Sequence, residues 1–326
     1  MIKVAFVGPF AVRLADSVGA RLSIPSELIV DNEADILPRL ADVDVLVSMG
    51  FSKRMAASAP RLRLLQVPGA GLDRVDRAAV PANVHLANAY GHEAGIAEYI
   101  IGAMIALTRS FYRLDAKLRR GVWESQWALD APMPPLWPEL AGKTLAILGY
   151  GRIGQALARR ACAFDMRVHA VRRSAEAGAT PSGAFVVGPD AVDDVLQQAD
   201  YLALTLPLSP ATRHLIDERR LGLMKPSVFL INVARAEIVE EVALYRALEQ
   251  GTIAGAALDV WYRYPSAAGA APPAARPFHL LENVIMTPHV SGWTEGMFEA
   301  RAALIADNIE RTARGEPPLN AIDASS

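Results

Sequence analysis

Three glycines with the spacing of a nucleotide-binding loop lie near the middle of the sequence. The segment reads K-T-L-A-I-L-G-Y-G-R-I-G-Q and contains Gly149, Gly151 and Gly154. The apolar residues before the first glycine predict a buried strand, and the residues after the second predict a helix. Such glycines allow a tight turn, close approach of the backbone to a pyrophosphate, and close helix–strand packing. The sequence therefore predicts a dinucleotide site, with the backbone N–H groups of Arg152 and Ile153 facing the pyrophosphate.

The next predicted strand, over residues 166–171, ends where the adenosine ribose is read in this type of site. An acidic side chain about 20 residues past the first glycine usually binds the ribose 2′-hydroxyl. Here Arg172, Arg173 and Ser174 follow Gly149 by 23 to 25 residues. Two guanidiniums and a hydroxyl suit a 2′-phosphate, and this triplet contains no carboxylate to repel it. We therefore expect NADP(H) to be preferred to NAD(H); the alternative is a solvated basic turn.

A charged or titratable side chain follows each of three later segments. Arg235 follows I-N-V-A, Asp259 follows A-A-L, and His289 follows T-P. Ligands of open α/β sheets bind outside the carboxyl ends of the strands. Arginine is a permanent cation that suits carboxylates, and histidine changes its charge near neutral pH. These three residues are therefore candidates for binding and chemistry, although a lone histidine is more often structural.

Short apolar runs alternate with helically spaced segments along most of the chain. The runs lie at residues 4–7, 43–48, 62–67, 144–148, 168–171, 201–204, 228–232 and 256–260. This alternation predicts an α/β fold with parallel sheets covered by helices on both faces. Two series of strands, within residues 1–92 and from about residue 143, indicate two sheets. An amphipathic segment from Gly95 to Arg120 is predicted between them, and a last helix over about Thr294–Arg314.

The composition indicates a large packed core and gives no electrostatic signature of a nucleic acid or membrane partner. Hydrophobic residues make up 52% and charged residues 21%, and the formal net charge is −2. No long basic run is present, and no apolar run approaches the ~20 residues of a membrane span. The single cysteine, Cys162, falls in a predicted helix, where we expect an unreactive core thiol, and it fits a reducing cytoplasm. We predict no metal site.

Two stretches are predicted to be irregular. The segment from Gly121 to Pro138 is rich in tryptophan and proline, and the segment from Tyr264 to Pro277 contains four prolines. Proline interrupts regular structure, whereas tryptophan is expected to pack. The first segment is therefore predicted to be an ordered loop.

The order and spacing of its motifs make the chain resemble the D-isomer-specific 2-hydroxyacid dehydrogenase family from about Leu62 to Gly315. The segments that carry the resemblance are Gly69-Ala70-Gly71-Leu72-Asp73, Ala97-Glu98, Trp123, the glycine loop, Leu206-Pro207-Leu208, Ile231 to Arg235, Leu258-Asp259-Val260 and Pro288-His289. The resemblance implies hydride transfer between NAD(P)H and a small 2-keto or 2-hydroxy acid, such as glyoxylate or hydroxypyruvate. It also implies a flavodoxin-like substrate domain, here residues 1–93 plus 294–326. A Rossmann dinucleotide-binding domain, here residues 94–293, would be inserted into it. Homodimers would assemble through the dinucleotide domains.

The resemblance also implies roles for single residues at the substrate. Arg235 would bind the substrate carboxylate and polarise the carbonyl. A guanidinium suits this role because it is planar and permanently charged. His289 would give a proton to the keto oxygen as the hydride arrives. The backbone N–H groups of Ala70 and Gly71 would cradle the carboxylate. His92 lies where relatives place a polar residue that contacts the substrate, with a role at the start of a helix as the alternative.

At the cofactor, the resemblance implies that Asp259 orients the nicotinamide carboxamide. Val233 and Ala234 would line the nicotinamide pocket. The other residues of the implied cofactor site are Leu206, Pro207, Thr212 and Gly292.

One segment departs from the family pattern, which usually reads Asp-Val-Phe-x-x-Glu-Pro with the glutamate bonded to the catalytic histidine. Tyr264 stands at the position of that glutamate, and we expect it to partner His289, with Glu295 and Glu237 as the alternative partners. Formate dehydrogenases of the family also lack the glutamate and transfer hydride without a proton relay. Two alternatives therefore stay open. One is a dehydrogenase of a compact anion such as formate or phosphite, and the other is a nucleotide-sensing protein similar to the C-terminal-binding-protein corepressors.

Overall fold

The computed structural model describes residues 1–128, 132–174, 177–265 and 271–323. The chain divides into two compact units. Unit 1 comprises residues 1–92 and 293–326, and unit 2 comprises residues 93–292. Unit 2 is therefore an insertion into unit 1, with boundaries one residue from the divisions drawn on the sequence.

The first part of unit 1 alternates strands with helices. Its strands are β1 (Ile2–Val7), β2 (Ser26–Asp31), β3 (Val45–Ser48), β4 (Leu64–Gln66) and β5 (His85–Ala87), and its α-helices are α1 (Pro9–Gly19) and α2 (Lys53–Ser58). Helix α1 starts with a proline at its first position, where the missing N–H costs nothing, and α2 starts at the capping hydroxyl of Ser52.

Unit 2 continues the alternation. It contains the strands β6 (Thr144–Leu148), β7 (Arg167–Val171), β8 (Gly178–Ala179), β9 (Ala184–Val187), β10 (Tyr201–Leu204), β11 (Phe229–Asn232), β12 (Gly255–Leu258) and β13 (Val284–Met286). Its α-helices are α3 (Glu93–Thr108), α4 (Phe111–Leu118), α5 (Arg152–Ala163), α6 (Val192–Gln198), α7 (Glu218–Leu223) and α8 (Glu241–Glu249). The chain then returns to unit 1 as α9 (Glu295–Arg314), capped by the Thr294 hydroxyl, and β14 (Ala321–Ile322).

Over the described residues, unit 1 contains a sheet of order β14-β5-β4-β3-β1-β2, parallel except for β14. The order 2-1-3-4-5 of its first strands is the flavodoxin-like order. One face of this sheet is covered by α1 and α9, whose Leu14, Ile305 and Ile309 pack on Val4 and Phe6 of β1. The last helix therefore completes a core that the first strand begins.

The sheet of unit 2 has the order β13-β12-β11-β10-β6-β7-β9-β8 over the described residues and is parallel except for β8. Its central strands reproduce the doubly wound dinucleotide-binding order, in which the strand order reverses between β6 and β10. Leu202 and Leu204 of β10 join the core beneath α6, α7 and α8, whereas Tyr201 and Ala203 join the core beneath α3 and α5. Both faces of the sheet are buried, which explains why the strands read as continuous apolar runs.

The predicted helical segment from Gly95 to Arg120 is two helices rather than one. Ser110 has a left-handed φ of 49°, and α3 and α4 are bent by 56° at this break. In the part of the chain that the structure describes, no single helix is long and apolar enough to span a membrane. The bent pair α3–α4 passes that test of length and composition only when its two helices are taken together.

Two expectations about packing require correction. Trp123 is 59% exposed and Trp127 is 77% exposed, so these side chains do not pack within this single chain as predicted, although the described part of the segment is irregular. Cys162 is half-buried rather than fully buried. Burial nevertheless raises the pKa of its thiol above the ordinary value, which disfavours a reactive thiolate.

Candidate active site

The glycine loop connects β6 to α5 at the point where the strand order of unit 2 reverses. Gly149 has a φ of +108°, and a Cβ there would lie 2.6 Å from the backbone nitrogen of Leu206. A Cβ on Gly154 would collide with the carbonyl of Gly149, whereas a Cβ on Gly151 meets nothing within 4 Å. The fold therefore requires the first and third glycines, and the second leaves open space before the helix.

Gly151 is the N-cap of α5 and provides no side-chain cap for the first turn of this helix. An uncapped helix N-terminus with open space in front of it fits a pyrophosphate, because its N–H groups and dipole favour an anion. The residues that would hold a dinucleotide in unit 2 therefore match the requirements of that group. The predicted contribution of Arg152 and Ile153, which open the helix, stays a prediction.

Tyr150 lies between the first two glycines and is 5% exposed. Its hydroxyl lies 2.5 Å from the Ser182 hydroxyl and 3.1 Å from that of Thr180. This contact attaches the glycine loop to the turn between β8 and β9, which follows the predicted ribose-reading segment in the chain.

The predicted ribose-reading residues Arg172, Arg173 and Ser174 come directly after β7 and are exposed. The backbone N–H of Arg172 donates to the carbonyl of Val187 at 3.0 Å, which fixes the start of the segment. Among the described residues, neither guanidinium forms an ion pair. Both cations therefore stand at the carboxyl end of a parallel strand without a carboxylate partner in that part of the chain.

Arg235 follows β11 in a turn that Asn232 holds together. The Asn232 amide donates to the carbonyl of Arg235 at 2.9 Å, and its oxygen accepts the N–H of Ala234 at 3.1 Å. The Arg235 guanidinium is half-buried, and its Nη1 donates to the carbonyl of Ala234 at 2.7 Å. The buried end of β11 and the hydrogen bonds of the Asn232 amide therefore hold a permanent cation at the carboxyl edge of the sheet.

His289 follows β13 at the same edge, and its backbone is left-handed, with a φ of 58°. Histidine is one of the few side chains enriched in this conformation. The carboxylate of Asp259, which follows β12, is fully buried and accepts the N–H groups of Val290 at 2.9 Å and Ser291 at 2.8 Å. Asp259 therefore anchors the loop that presents the imidazole, while its predicted contact with the nicotinamide carboxamide stays a prediction.

The Tyr264 hydroxyl lies 2.8 Å from Nδ1 of His289, and it also accepts the backbone N–H of Trp261 at 3.3 Å. Burial raises the pKa of the Tyr264 phenol above its ordinary value, an effect opposed by the Trp261 N–H and the Arg235 guanidinium. A neutral phenol can donate to a neutral imidazole and accept from a protonated one. Tyr264 can therefore orient the ring in both protonation states, whereas it supplies no negative charge.

In unit 1, the residues of the predicted carboxylate cradle lie in the segment after β4, and their role stays a prediction. The carbonyl of Gly69 accepts the N–H of Ala89 at 3.1 Å, and the carbonyl of Ala70 accepts the Asn88 amide at 2.9 Å. The N–H groups of Ala70 and Gly71 have no acceptor among the described residues. Two free N–H donors on an anchored turn suit the capture of a carboxylate.

The remaining predicted site residues occupy these positions. Val233 and Ala234 are 6% and 9% exposed and lie in the turn before Arg235. The Thr212 hydroxyl donates to the carbonyl of Pro207 at 2.8 Å and so stabilises the loop after β10 that also contains Leu206. His92 ends unit 1 and Gly292 ends unit 2.

Sequence reasoning missed four residues that support this site, namely Asn88, Tyr99, Trp261 and Thr287. Thr287 donates to Asp259 at 2.6 Å and lies 2.6 Å from the Tyr99 hydroxyl, and the Trp261 indole donates to the carbonyl of Thr287 at 2.8 Å. Thr287 and Trp261 each lie within two residues of a predicted site residue, which was the available signal. Tyr99 gave no such signal because its contact is tertiary.

Comparison with known proteins agrees with this architecture. The family model described as "D-isomer specific 2-hydroxyacid dehydrogenase, NAD binding domain" matches residues 101–291. A glyoxylate reductase of Pyrococcus furiosus is 34% identical over 288 residues, which cover 87% of this chain and 83% of that protein.

Two solved structures are similar over nearly their whole length. A D-isomer specific 2-hydroxyacid dehydrogenase family protein from Aeromonas salmonicida has a TM-score of 0.83 and 26% identity, with 99% of both chains covered. An acyclic imino acid reductase in complex with NADPH and D-Arg has a TM-score of 0.80 and 25% identity, with 99% of this chain and 100% of that chain covered. The chain therefore belongs to the D-isomer-specific 2-hydroxyacid dehydrogenase family and is an NAD(P)-dependent oxidoreductase.

Proposed function

We propose that this enzyme uses NADPH to reduce a small 2-keto acid to the 2-hydroxy acid. The observation that carries the proposal is the contact between Tyr264 and His289 close to Arg235 at one sheet edge. This edge brings together a permanent cation for a carboxylate and an oriented imidazole for proton transfer. The names of relatives such as the Pyrococcus furiosus glyoxylate reductase support a compact keto acid as the substrate.

The residues of the chain divide the reaction between binding and proton transfer. In unit 1, the N–H groups of Ala70 and Gly71 are donors for a carboxylate, and in unit 2 the Arg235 guanidinium is a cation for a carboxylate. The same guanidinium polarises the keto carbonyl, which stabilises negative charge on its oxygen as the reaction proceeds. Bound NADPH supplies the hydride. His289 then gives the proton from Nε2 to the keto oxygen, while Tyr264 holds Nδ1.

The preference for NADPH rests on Arg172, Arg173 and Ser174. Two exposed cations without a carboxylate partner in the described chain favour a ribose 2′-phosphate over a 2′-hydroxyl. The structural similarity to a reductase whose complex contains NADPH supports this preference.

The test is a screen of NADPH and NADH oxidation across 2-keto acids, with reverse assays on formate and phosphite. We expect kcat/KM to be highest for a small 2-keto acid with NADPH. A higher kcat/KM with NADH would refute the cofactor assignment. Oxidation of formate or phosphite without keto-acid reduction would replace the substrate class. This alternative is favoured by the presence of Tyr264, instead of the family glutamate, beside Nδ1 of His289. Nucleotide binding without any turnover would favour the corepressor-like alternative.

We also propose a homodimer formed through unit 2. Several large apolar side chains of this unit are exposed in the single chain, namely Phe111, Leu118, Trp123, Trp127, Met133 and Leu136. Monomeric proteins rarely leave so much apolar surface uncovered, and burial against a second copy would give the tryptophans the packing partners that they lack. Sedimentation equilibrium should give twice the 35.0 kDa mass of the chain, and Trp127→Arg should shift the equilibrium toward monomer. A parent protein that sediments as a monomer at micromolar concentration would refute the dimer.

A further inference from the structure

The left-handed backbone of His289 directs two consecutive N–H groups to one carboxylate. Oδ1 of Asp259 accepts the N–H of Val290, and Oδ2 accepts the N–H of Ser291. Successive N–H groups around a left-handed residue form a concave anion-binding nest. A buried side chain of the protein occupies this nest, so the conformation of the His289 loop depends on the orientation of Asp259.

Asp259 is in turn oriented by a chain of two hydroxyls. The Thr287 hydroxyl lies 2.6 Å from Oδ1 of Asp259, and the Tyr99 hydroxyl of α3 lies 2.6 Å from the Thr287 hydroxyl. Because a carboxylate only accepts hydrogen bonds, Thr287 donates to Asp259 and therefore accepts from Tyr99. Burial raises the pKa of the Tyr99 phenol, so this hydroxyl keeps the proton that it donates. The chain of bonds links helix α3 to the loop of His289.

The same helix contributes one hydroxyl to a second pair, and neither member of this pair is bonded to Asp259. Thr108, at the carboxyl end of α3, lies 2.7 Å from the Tyr201 hydroxyl and donates to the carbonyl of Met104 at 2.6 Å. Tyr201 is 2% exposed, and burial raises its pKa also. The two pairs match in residue types and in distance, although Thr108 and Tyr201 are the more deeply buried pair. The pair Tyr99–Thr287 ends on the carboxylate that holds the His289 loop.

We propose that Thr287 and Tyr99 are positioning residues that fix the backbone of His289 through Asp259. This inference rests on the proposed function, in which His289 transfers the proton. A loosened loop displaces the imidazole from the keto oxygen, and errors of about 1 Å in such alignment cost on the order of 100-fold in rate. The turnover number is therefore sensitive to a hydroxyl that touches neither the substrate nor the cofactor.

Kinetics of matched variants test the proposal. Thr287→Val should lower kcat by at least about 10-fold, and Thr287→Ser, which keeps the hydroxyl, should restore most of it. Tyr99→Phe should lower kcat by about 3-fold, since it removes one hydrogen bond of the chain. The controls Thr108→Val and Tyr201→Phe should lower Tm at least as much as their counterparts, because they lie in a more buried pair, while kcat stays within about 2-fold of the parent value. Equal losses of kcat in the Thr287 and Thr108 variants would overturn the proposal, as would failure of Thr287→Ser to recover activity.

Amide hydrogen exchange tests the loop without any turnover. In Thr287→Val and Tyr99→Phe, the amides of Val290 and Ser291 should exchange about 10-fold faster, because the carboxylate that accepts them is less firmly oriented. In Thr108→Val and Tyr201→Phe these two amides should exchange as in the parent. Unchanged exchange in Thr287→Val would overturn the positioning role. If the parent enzyme reduces no keto acid, the proposed function fails while the exchange data still decide whether the hydroxyl chain holds the loop.

Discussion

The two units offer a ligand different kinds of groups at the carboxyl ends of their strands. Unit 1 presents the backbone N–H groups of Ala70 and Gly71, on a turn whose carbonyls are bound by Ala89 and Asn88. Unit 2 presents the side chains of Arg235, which donates to the carbonyl of Ala234, and of His289, whose loop donates two N–H groups to the buried Asp259. Both units have a parallel α/β sheet, so the fold alone does not decide which kind of group is used.

The difference indicates a division of labour. A backbone cradle recognises a carboxylate in any acid, and it depends little on the identity of the side chains around it. Side chains that carry charge or a mobile proton determine the chemistry and the choice of cofactor. We therefore expect substitutions in unit 2 to change kcat and cofactor preference, and substitutions in the cradle of unit 1 to change KM for the acid.

The largest effect should follow the loss of His289. His289→Ala should lower kcat for keto-acid reduction by ~10²–10⁴, the usual contribution of a positioned acid. The dissociation constant for NADPH, measured by fluorescence titration, should change little. A variant with nearly normal reduction would remove proton transfer by His289 from the mechanism and favour the formate-like alternative.

Reversing the charge at the ribose-reading segment should have the next largest effect. Arg172→Asp should lower kcat/KM for NADPH by about 10–100-fold, as expected when one charge-assisted hydrogen bond is replaced by repulsion. The value for NADH should fall less or rise, since a carboxylate accepts from a 2′-hydroxyl. Arg159→Asp, an exposed cation on α5, is the control for a general change in charge and should leave the ratio of the two values unchanged.

The Tyr264→Glu variant should change the pH dependence of turnover. A carboxylate beside an imidazolium favours the charged form and raises the pKa of the imidazole. Because reduction requires protonated His289, activity declines as the pH rises through that pKa. The basic limb of the kcat/KM profile should therefore move to higher pH by ~1 unit. If the limb does not move and the circular dichroism spectrum is native, Tyr264 is not the partner that sets the protonation of His289.

The smallest effect should come from unit 1. Asn88→Ala removes the amide that holds the Ala70 carbonyl, so KM for the keto acid should rise by ~5-fold, equivalent to about 1 kcal/mol for a neutral hydrogen bond. The kcat at saturating acid should stay the same. Asn283→Ala, which removes an amide bonded to two carbonyls elsewhere in the fold, should leave KM unchanged. A loss of kcat in Asn88→Ala would contradict the division of labour.

The sequence predicted the doubly wound architecture well, because buried parallel strands such as β6 and β10 read as uninterrupted apolar runs. It did not predict β2, β5, β8, β9, β13 or β14, which lie at or next to a sheet edge and are mostly short, so that they carry little periodicity. The break at Ser110 was also missed, since a serine rather than a glycine adopts the left-handed backbone there.

The site residues also divide into those that the sequence predicted and those that it did not. Local motifs identified Arg235, Asp259 and His289, and the alignment of Tyr264 with the family glutamate predicted a contact that is present in the structure. The roles of these residues stay predictions. The hydroxyl chain through Tyr99 was beyond sequence reasoning, because its members are separated by 188 residues in the chain and no local rule brings them together.

The insertion of unit 2 into unit 1 has a consequence for biosynthesis. One face of the unit 1 sheet is covered by α9, and the buried Asn308 of this helix donates to Gln66 of β4 at 2.7 Å. The strands of unit 1 leave the ribosome early, yet the helix that covers them emerges about 200 residues later. During that interval, at ~5–20 residues per second, unit 2 can complete its own core while apolar strands of unit 1 remain uncovered. The nascent chain therefore exposes β1 and β3 for at least several seconds, and this face is where we expect chaperones to bind it.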